Sequence, residues 1–402
     1  MTIDRRDFTI ASLATLGGCP AWAQGKYDPG ASNSEIRIGS IQPYSGPASL
    51  YGLTGTTQEA YFRMINERGG INGRKVTYIS YDDGYSPAKT IEQARKLVES
   101  DKVLALFCTL GTATNAAIVK YMNSKQVPHL FLLSGAAKFA DPKTHPWTMP
   151  WMPNYVAEGR AYAKDILKNR PNAKVGVLYQ NDDFGRDYLR GLEEALGDKA
   201  KSMIVARLPY ETTDPTVDSQ LVNIKFAGAD VLVLAAVSKF VTQALRKTAE
   251  MNWSPTRYIS NTAISIDVLK PAGLEKVRGA LSAAYMKEPG DPQWNDDAGY
   301  KVYVDFMDKY MPGQPRNNVT AVAYGAAVAI AQVLRQSGDD LTRVNVMKQA
   351  ANLKNLDVGM ALPGIKVNTG PSDYTPFSEV QLIEFTGEYW KRTGPVIDTL
   401  AL

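Results

Sequence analysis

The stretch Cys108-Thr109-Leu110-Gly111-Thr112-Ala113-Thr114 places hydroxyls and small residues between an apolar run and a helix-like one. Such a segment leaves backbone N–H groups accessible at a helix start, where oriented donors and partial positive charge favour an anion. Thr114 suits either ligand contact or capping of the helix itself. Ser134-Gly135-Ala136-Ala137-Lys138 has the same position one strand later. Its glycine and two alanines allow close approach, and Lys138 can pair with a carboxylate or face water. Tyr51, Phe184, Trp151 and Tyr155 are candidate walls of an aromatic slot for a planar or apolar body. Packing at a cleft edge is the plainer alternative, and for Trp151 and Tyr155 the favoured one.

Other chemistry is poorly represented. The chain has two histidines, His129 and His145, too few for a zinc site without ligands that the spacing does not indicate. There is no Gly-x-Ser-x-Gly elbow, no Gly-x-Gly-x-x-Gly fingerprint and no His-Glu-x-x-His motif. Asp82 and Asp83 adjoin each other, but neighbouring carboxylates after a strand are more often solvated or helix-capping. No enzyme, metal or cofactor is expected. The net charge of +4 over 402 residues is mild and scattered, which speaks against nucleic-acid binding.

The elements that must position these residues alternate. Strands are expected at Ile36 to Ile41, Val76 to Tyr81, Val103 to Phe107 and His129 to Leu133, with helices between them from Thr54, Pro87 and Thr114. That order implies a parallel sheet covered on both faces. The rhythm breaks over 141–154, a stretch rich in Pro, Trp and Met, and then resumes. Strands are expected at Lys174 to Tyr179, Ser202 to Leu208, Asp230 to Leu234, Arg257 to Ser260 and Ala280 to Tyr285. Long helices follow at 294–310, 319–336 and 341–351, then a strand pair at Ile365 to Val367 and Glu379 to Phe385. Open parallel sheets bind ligands beyond the carboxyl ends of their strands, and two such edges facing each other form a cleft that can close. The fold class is thus α/β with two lobes, each a mostly parallel sheet flanked by helices. Lobe one takes 33–151 and 285–362, lobe two takes 152–284 and 363–392, and 393–402 is left as a tail.

Residues 1–23 read as an export signal. Arg5 and Arg6 precede the apolar run Phe8 to Leu16, and Ala21-Trp22-Ala23 is a small-x-small cleavage site. The twin-arginine route to the periplasm is expected. Leu16-Gly17-Gly18-Cys19 resembles a lipobox and leaves lipid attachment through Cys19 as the rival. Cleavage after Ala23 leaves one cysteine, Cys108, at the end of an apolar strand, where inert burial is expected.

Taken in order, Pro43-Tyr44-Ser45-Gly46-Pro47, Tyr51-Gly52, Asn66-Glu67-Arg68-Gly69-Gly70-Ile71-Asn72-Gly73-Arg74, Asp82-Asp83, Val127-Pro128 with Ser134-Gly135, and Asp182-Asp183-Phe184-Gly185 make the mature chain resemble the leucine/isoleucine/valine-type periplasmic binding proteins of ABC importers. The resemblance is to a type I periplasmic binding fold. Gly111-Thr112-Ala113-Thr114-Asn115, Lys120-Tyr121-Met122-Asn123 and Trp147 are similar to a branch associated with aromatic acids and other amine-free carboxylates. The resemblance implies that lobe one grips a ligand carboxylate through Ala113 and Thr114 and through Ser134, Ala136, Ala137 and Lys138, with Tyr51 packed over the ligand. It implies that lobe two contributes Phe184, Val237-Ser238 and Asn261-Thr262. Amino-acid binders carry a carboxylate for the ammonium where this sequence has Thr262, with Asp267 the nearest acidic substitute if the local match shifts. A desolvated ammonium without a partner costs several kcal/mol, on the order of 3–5. The expected solute is therefore a small carboxylate without an amine, benzoate-like or cinnamate-like. The expected partner is an importer permease, and the expected state is a monomer. A branched-chain amino acid as ligand, and a ligand-sensing module for a signalling partner, are the alternatives.

Overall fold

A computed structural model describes residues 25–401; the export-signal reading lies outside the described residues. The first sheet is formed by β1 (Glu35–Gln42), β2 (Lys75–Asp82), β3 (Ala105–Phe107), β4 (His129–Leu132) and β5 (Thr148–Pro150). Its order is β2-β1-β3-β4-β5, all parallel. Helices α1 (Leu53–Glu67), α2 (Pro87–Arg95) and α3 (Thr112–Ser124) connect these strands. β3 and β4 are buried along their whole length, as expected of strands covered on both faces.

The second sheet holds β6 (Val175–Gln180), β7 (Ile204–Tyr210), β8 (Val231–Ala235), β9 (Thr256–Ile259), β10 (Leu281–Ala284), β11 (Glu379–Phe385) and β12 (Trp390–Asp398). Its order is β12-β11-β10-β9-β8-β6-β7. The five strands from β10 to β7 are parallel, and β11 and β12 add antiparallel. Helices α4 (Tyr155–Asn169), α5 (Asp183–Leu196), α6 (Asp218–Phe226) and α7 (Ser238–Glu250) belong to this lobe.

The chain passes between lobes near Trp151 to Tyr155, again after β10, and back near 359–362. The last two passages run antiparallel, with a bridge Met286↔Ala361 and the Leu362 N–H donating to the Tyr285 carbonyl. The returning segment brings α8 (Ala298–Tyr310) and α9 (Asn318–Ser337) to lobe one. By length and composition α9 could cross a membrane, but most of it is buried, where it packs along α1. Its start is fixed by a capping box between Asn317 and Thr320.

Three details differ from the sequence-based expectation. The irregular stretch 141–154 contains β5, whose three residues extend the first sheet at its edge. Ile365 to Val367 forms no strand; Val367 makes one isolated bridge to Leu356. The expected tail is not a tail, because β12 carries the second sheet through Asp398, pairing Asp398 with Glu379.

Candidate functional site

The two sheets present the carboxyl ends of their strands to a shared hollow. Its wall is Tyr51, Thr54, Tyr85, Leu110, Gly111, Thr112 and Leu133 from one side, Tyr155, Phe184, Val237 and Thr262 from the other, Met152 at a chain passage, and Asn318, Val319 and Val322 at the start of α9. The hollow is narrow. Of about 560 Å³ of atom-free space, part of it continuous with solvent, about 60 Å³ admits the centre of a water molecule. Among these residues there is no Asp, Glu, Lys, Arg or His. Its polar groups are hydroxyls, one side-chain amide and backbone.

On the lobe-one wall, Gly111 precedes α3 with φ +103°, and α3 has no side-chain cap. The first-turn N–H groups therefore have no side-chain acceptor at the end that faces the hollow through Gly111 and Thr112. A side chain at Gly111 would strike Tyr85, 2.6 Å from its ring. The Thr112 hydroxyl lies 2.7 Å from that of Ser134. Behind the loop, the Thr109 hydroxyl meets Asn115 Oδ1 and His129 Nε2, while the Asn115 amide donates to the carbonyls of Thr109 and Gly111. Burial drives the His129 imidazole down to about 3, so it is neutral and structural. Cys108 is buried, and burial pushes its thiol well above the ordinary range.

On the lobe-two wall, Asp182 caps α5 by accepting from the N–H groups of Phe184 and Gly185, which fixes the Phe184 ring. Tyr155 meets Phe184 edge-on at 4.9 Å and stacks on Tyr188 at 5.2 Å. The lobes touch across the cleft. The Tyr51 hydroxyl donates to the Thr262 carbonyl (3.0 Å) and accepts from the Ser238 N–H (3.1 Å); burial pushes its pKa up to about 12. Gln180 Nε2 donates to the Tyr85 hydroxyl over 3.4 Å. At the mouth the Ala137 N–H donates to Asp187 (2.8 Å), and Lys138 Nζ pairs with Asp183 (2.5 Å).

The hollow thus lies between two α/β lobes, and its wall carries no charged side chain. A family model described as periplasmic binding protein matches residues 35–387. The chain belongs to the periplasmic binding protein family. A relative in Brucella suis, named Leu/Ile/Val-binding protein homolog 7, is 23% identical over 345 residues, covering 83% of this chain and 84% of its own. A branched chain amino acid ABC transporter structure from Thermus thermophilus with bound valine superposes with TM-score 0.80 at 18% identity, covering 91% of this chain and 97% of its own. A fatty acid ABC transporter substrate-binding protein from Thermomonospora curvata gives 0.77 at 21%, covering 93% and 95%. The two-lobed α/β fold is shared by all of these structures, and the family is one of binding proteins, not enzymes.

Within this periplasmic binding protein, Tyr51, Tyr155, Phe184, Val237 and Thr262 line the hollow. The other expected contacts do not. Thr114 is buried in the helix and its hydroxyl donates back to the Leu110 carbonyl rather than capping. Ala113 follows Thr112 into the helix without reaching the wall. Ser134 sits behind Thr112, and its hydroxyl also accepts from the Ala136 N–H. Ala137 and Lys138 are engaged by Asp187 and Asp183 and lie off the wall. Trp151 is fully buried between Phe131 and Phe377, in accord with the packing alternative. Ser238 offers its N–H to Tyr51, and Asn261 is held by Glu158 through its backbone N–H and side-chain amide. Asp267 lies off the wall, paired with Asn317 and Lys270.

The expectation omitted Tyr85, Thr54, Leu133, Met152 and the start of α9. Tyr85 had a signal: it follows the turn at the carboxyl end of β2, where loops of a parallel sheet meet ligands. Asn318, Val319 and Val322 had none, because they reach the wall only through the late return of the chain.

Proposed function

We propose that this protein is the periplasmic solute-binding subunit of an ABC importer, acting as a monomer, and that its solute is a small organic acid without an amine, with an apolar body such as an aromatic ring. The observation that carries the ligand class is the absence of any acidic or basic side chain among the described residues of the wall. A carboxylate can be met by the uncapped start of α3 and the Thr112 hydroxyl, since oriented N–H donors and the helix dipole favour an anion without a full counter-charge. An ammonium finds only neutral oxygens there, with Thr262 on the wall in place of a carboxylate. Leu110, Leu133, Val237, Val319 and Val322 with the Phe184 and Tyr155 rings supply an apolar body site. The importer assignment and the permease partner are supported by the solved structures titled as ABC transporter proteins, and the one titled a fatty acid ABC transporter substrate-binding protein supports an amine-free acid.

A branched-chain amino acid is the second reading, favoured by the Leu/Ile/Val-binding name of the relative and by the valine in the Thermus structure. Calorimetry on the mature chain with cinnamate, benzoate, leucine and valine separates the two. The acid reading expects one-to-one binding of at least one acid, with both amino acids weaker by a factor of about ten or more, equivalent to about 1.4 kcal/mol. Tight leucine or valine binding with no response to the acids overturns it.

A further inference from the structure

The Tyr51 hydroxyl is a lobe-one group that consumes two lobe-two backbone groups, the Ser238 N–H at the start of α7 and the Thr262 carbonyl just beyond β9. Neither partner can be altered by changing a side chain, and α7 has no side-chain cap of its own. Tyr51, Val237 and Thr262 all stand on the wall of the hollow. A neighbouring donor is spent in the same way: the Val237 N–H donates to the Tyr210 hydroxyl at 3.1 Å, which itself donates to Gln180. The Val237 and Ser238 N–H groups are therefore already taken by tyrosine hydroxyls, and the Thr262 carbonyl already accepts from one.

We infer that Tyr51 is a specificity-determining residue: by occupying the Ser238 N–H and donating to the Thr262 carbonyl it disfavours solutes whose far end carries a hydrogen-bonding group directed at that pair. The physical reason is pairing. A solute hydroxyl directed at Ser238 and Thr262 finds the one N–H donor taken, so it either shares the Thr262 carbonyl with Tyr51 or displaces the Tyr51 hydroxyl and leaves that one unpaired, and both outcomes are weaker than a site with those groups free. A methyl or ring C–H in the same place displaces nothing. The inference rests on the hollow being the solute site, but not on which solute class occupies it.

The test is Tyr51→Phe in the mature chain, with two pairs of solutes differing by one hydroxyl: cinnamate with 4-hydroxycinnamate, and valine with its near-isostere threonine. For whichever pair the wild-type protein binds, the apolar member is expected to be preferred, and Y51F is expected to shift the affinity ratio about tenfold toward the hydroxylated member. Amide hydrogen exchange in the solute-free protein gives the independent readout, with faster exchange expected at Ser238 in Y51F. A ratio unchanged within about twofold, or Ser238 exchange unaffected by the substitution, overturns the inference. A shifted ratio in the valine pair upholds it while defeating the acid reading. An unshifted ratio in the cinnamate pair defeats it while leaving the acid reading intact. Binding of neither pair sinks both.

Discussion

Glu158 shows how much one side chain beneath the site controls. It is fully buried on α4, accepting from the Asn261 backbone and amide and lying against the Tyr162 hydroxyl. Through Asn261 it holds the turn that carries Thr262 to the wall. Burial raises its carboxyl to about 7, with the hydrogen bonds from Tyr162, Tyr188 and Asn261 opposing that rise. The folded state therefore binds this proton more tightly than the unfolded chain. The resulting stabilisation is complete below about pH 4.5, the ordinary value, and is lost as pH rises through about 7. Glu158→Gln is expected to remove this dependence. The wild-type minus E158Q difference in thermal midpoint should fall across that window, and subtracting the curves cancels the other titrating carboxyls. A difference that stays flat with pH would show that Glu158 does not titrate there.

Among the elements, the pair α4 and α5 does most to shape the lobe-two wall. Their backbones approach through two glycines: a Cβ at Gly191 would fall 2.0 Å from the Val156 carbonyl oxygen, and one at Gly159 would fall 2.5 Å from that of Tyr188. This closeness brings Tyr155, Phe184 and Tyr188 into one aromatic cluster. Gly191→Ala must push the helices apart, because backbone cannot yield as a flexible side chain can. Overpacking of this kind costs about 1–3 kcal/mol. G191A is expected to lower stability in urea by that amount and to weaken solute binding, since Tyr155 and Phe184 shift with their helices. Unchanged stability would show that the contact is softer than the geometry implies. The places of these helices were legible in the sequence from the strand–helix alternation around the expected strand at Lys174 to Tyr179, with Asp182-Asp183-Phe184-Gly185 marked by the family resemblance. Their contact was not, because a glycine in a helix looks the same whether it faces water or another backbone.

At the scale of the whole molecule, the lobes are joined across the hollow by the Tyr51, Gln180, Ala137 and Lys138 contacts, and a solute-binding protein of this shape gains affinity from them if it binds with the lobes in contact. Binding energy and closure energy are then linked: whatever stabilises the closed form raises solute affinity. The two mouth contacts should differ in weight. Lys138 and Asp183 are both more than a third exposed, and an exposed ion pair contributes about 0–1 kcal/mol and is screened by salt. Asp187 is largely buried and accepts from a backbone N–H, a charge-assisted bond worth about 1.5–3 kcal/mol. Asp187→Ala is expected to lower solute affinity about tenfold or more, with little salt dependence. Lys138→Ala should cost no more than about fivefold, and less in high salt. Titration calorimetry at two ionic strengths checks both, and equal losses in the two variants would contradict the ranking.

The sequence by itself determined the two-lobed α/β architecture, because alternating apolar strands and amphipathic helices can bury their faces only as covered parallel sheets; it offered Tyr51, Phe184 and Tyr155 as candidate aromatic walls, while Val237 and Thr262 came through the family resemblance. Tertiary structure alone decided which polar groups remain for a solute. Tyr51 meets Ser238 and Thr262 across nearly half the length of the chain, Ala137 and Lys138 are claimed by carboxylates of the opposite lobe, and Asn318 arrives on a helix that returns from lobe two. Local spacing registers a residue's own helix or strand. Whether its hydrogen-bonding capacity is already spent depends on a partner far away in sequence, and that is settled only when the chain has folded.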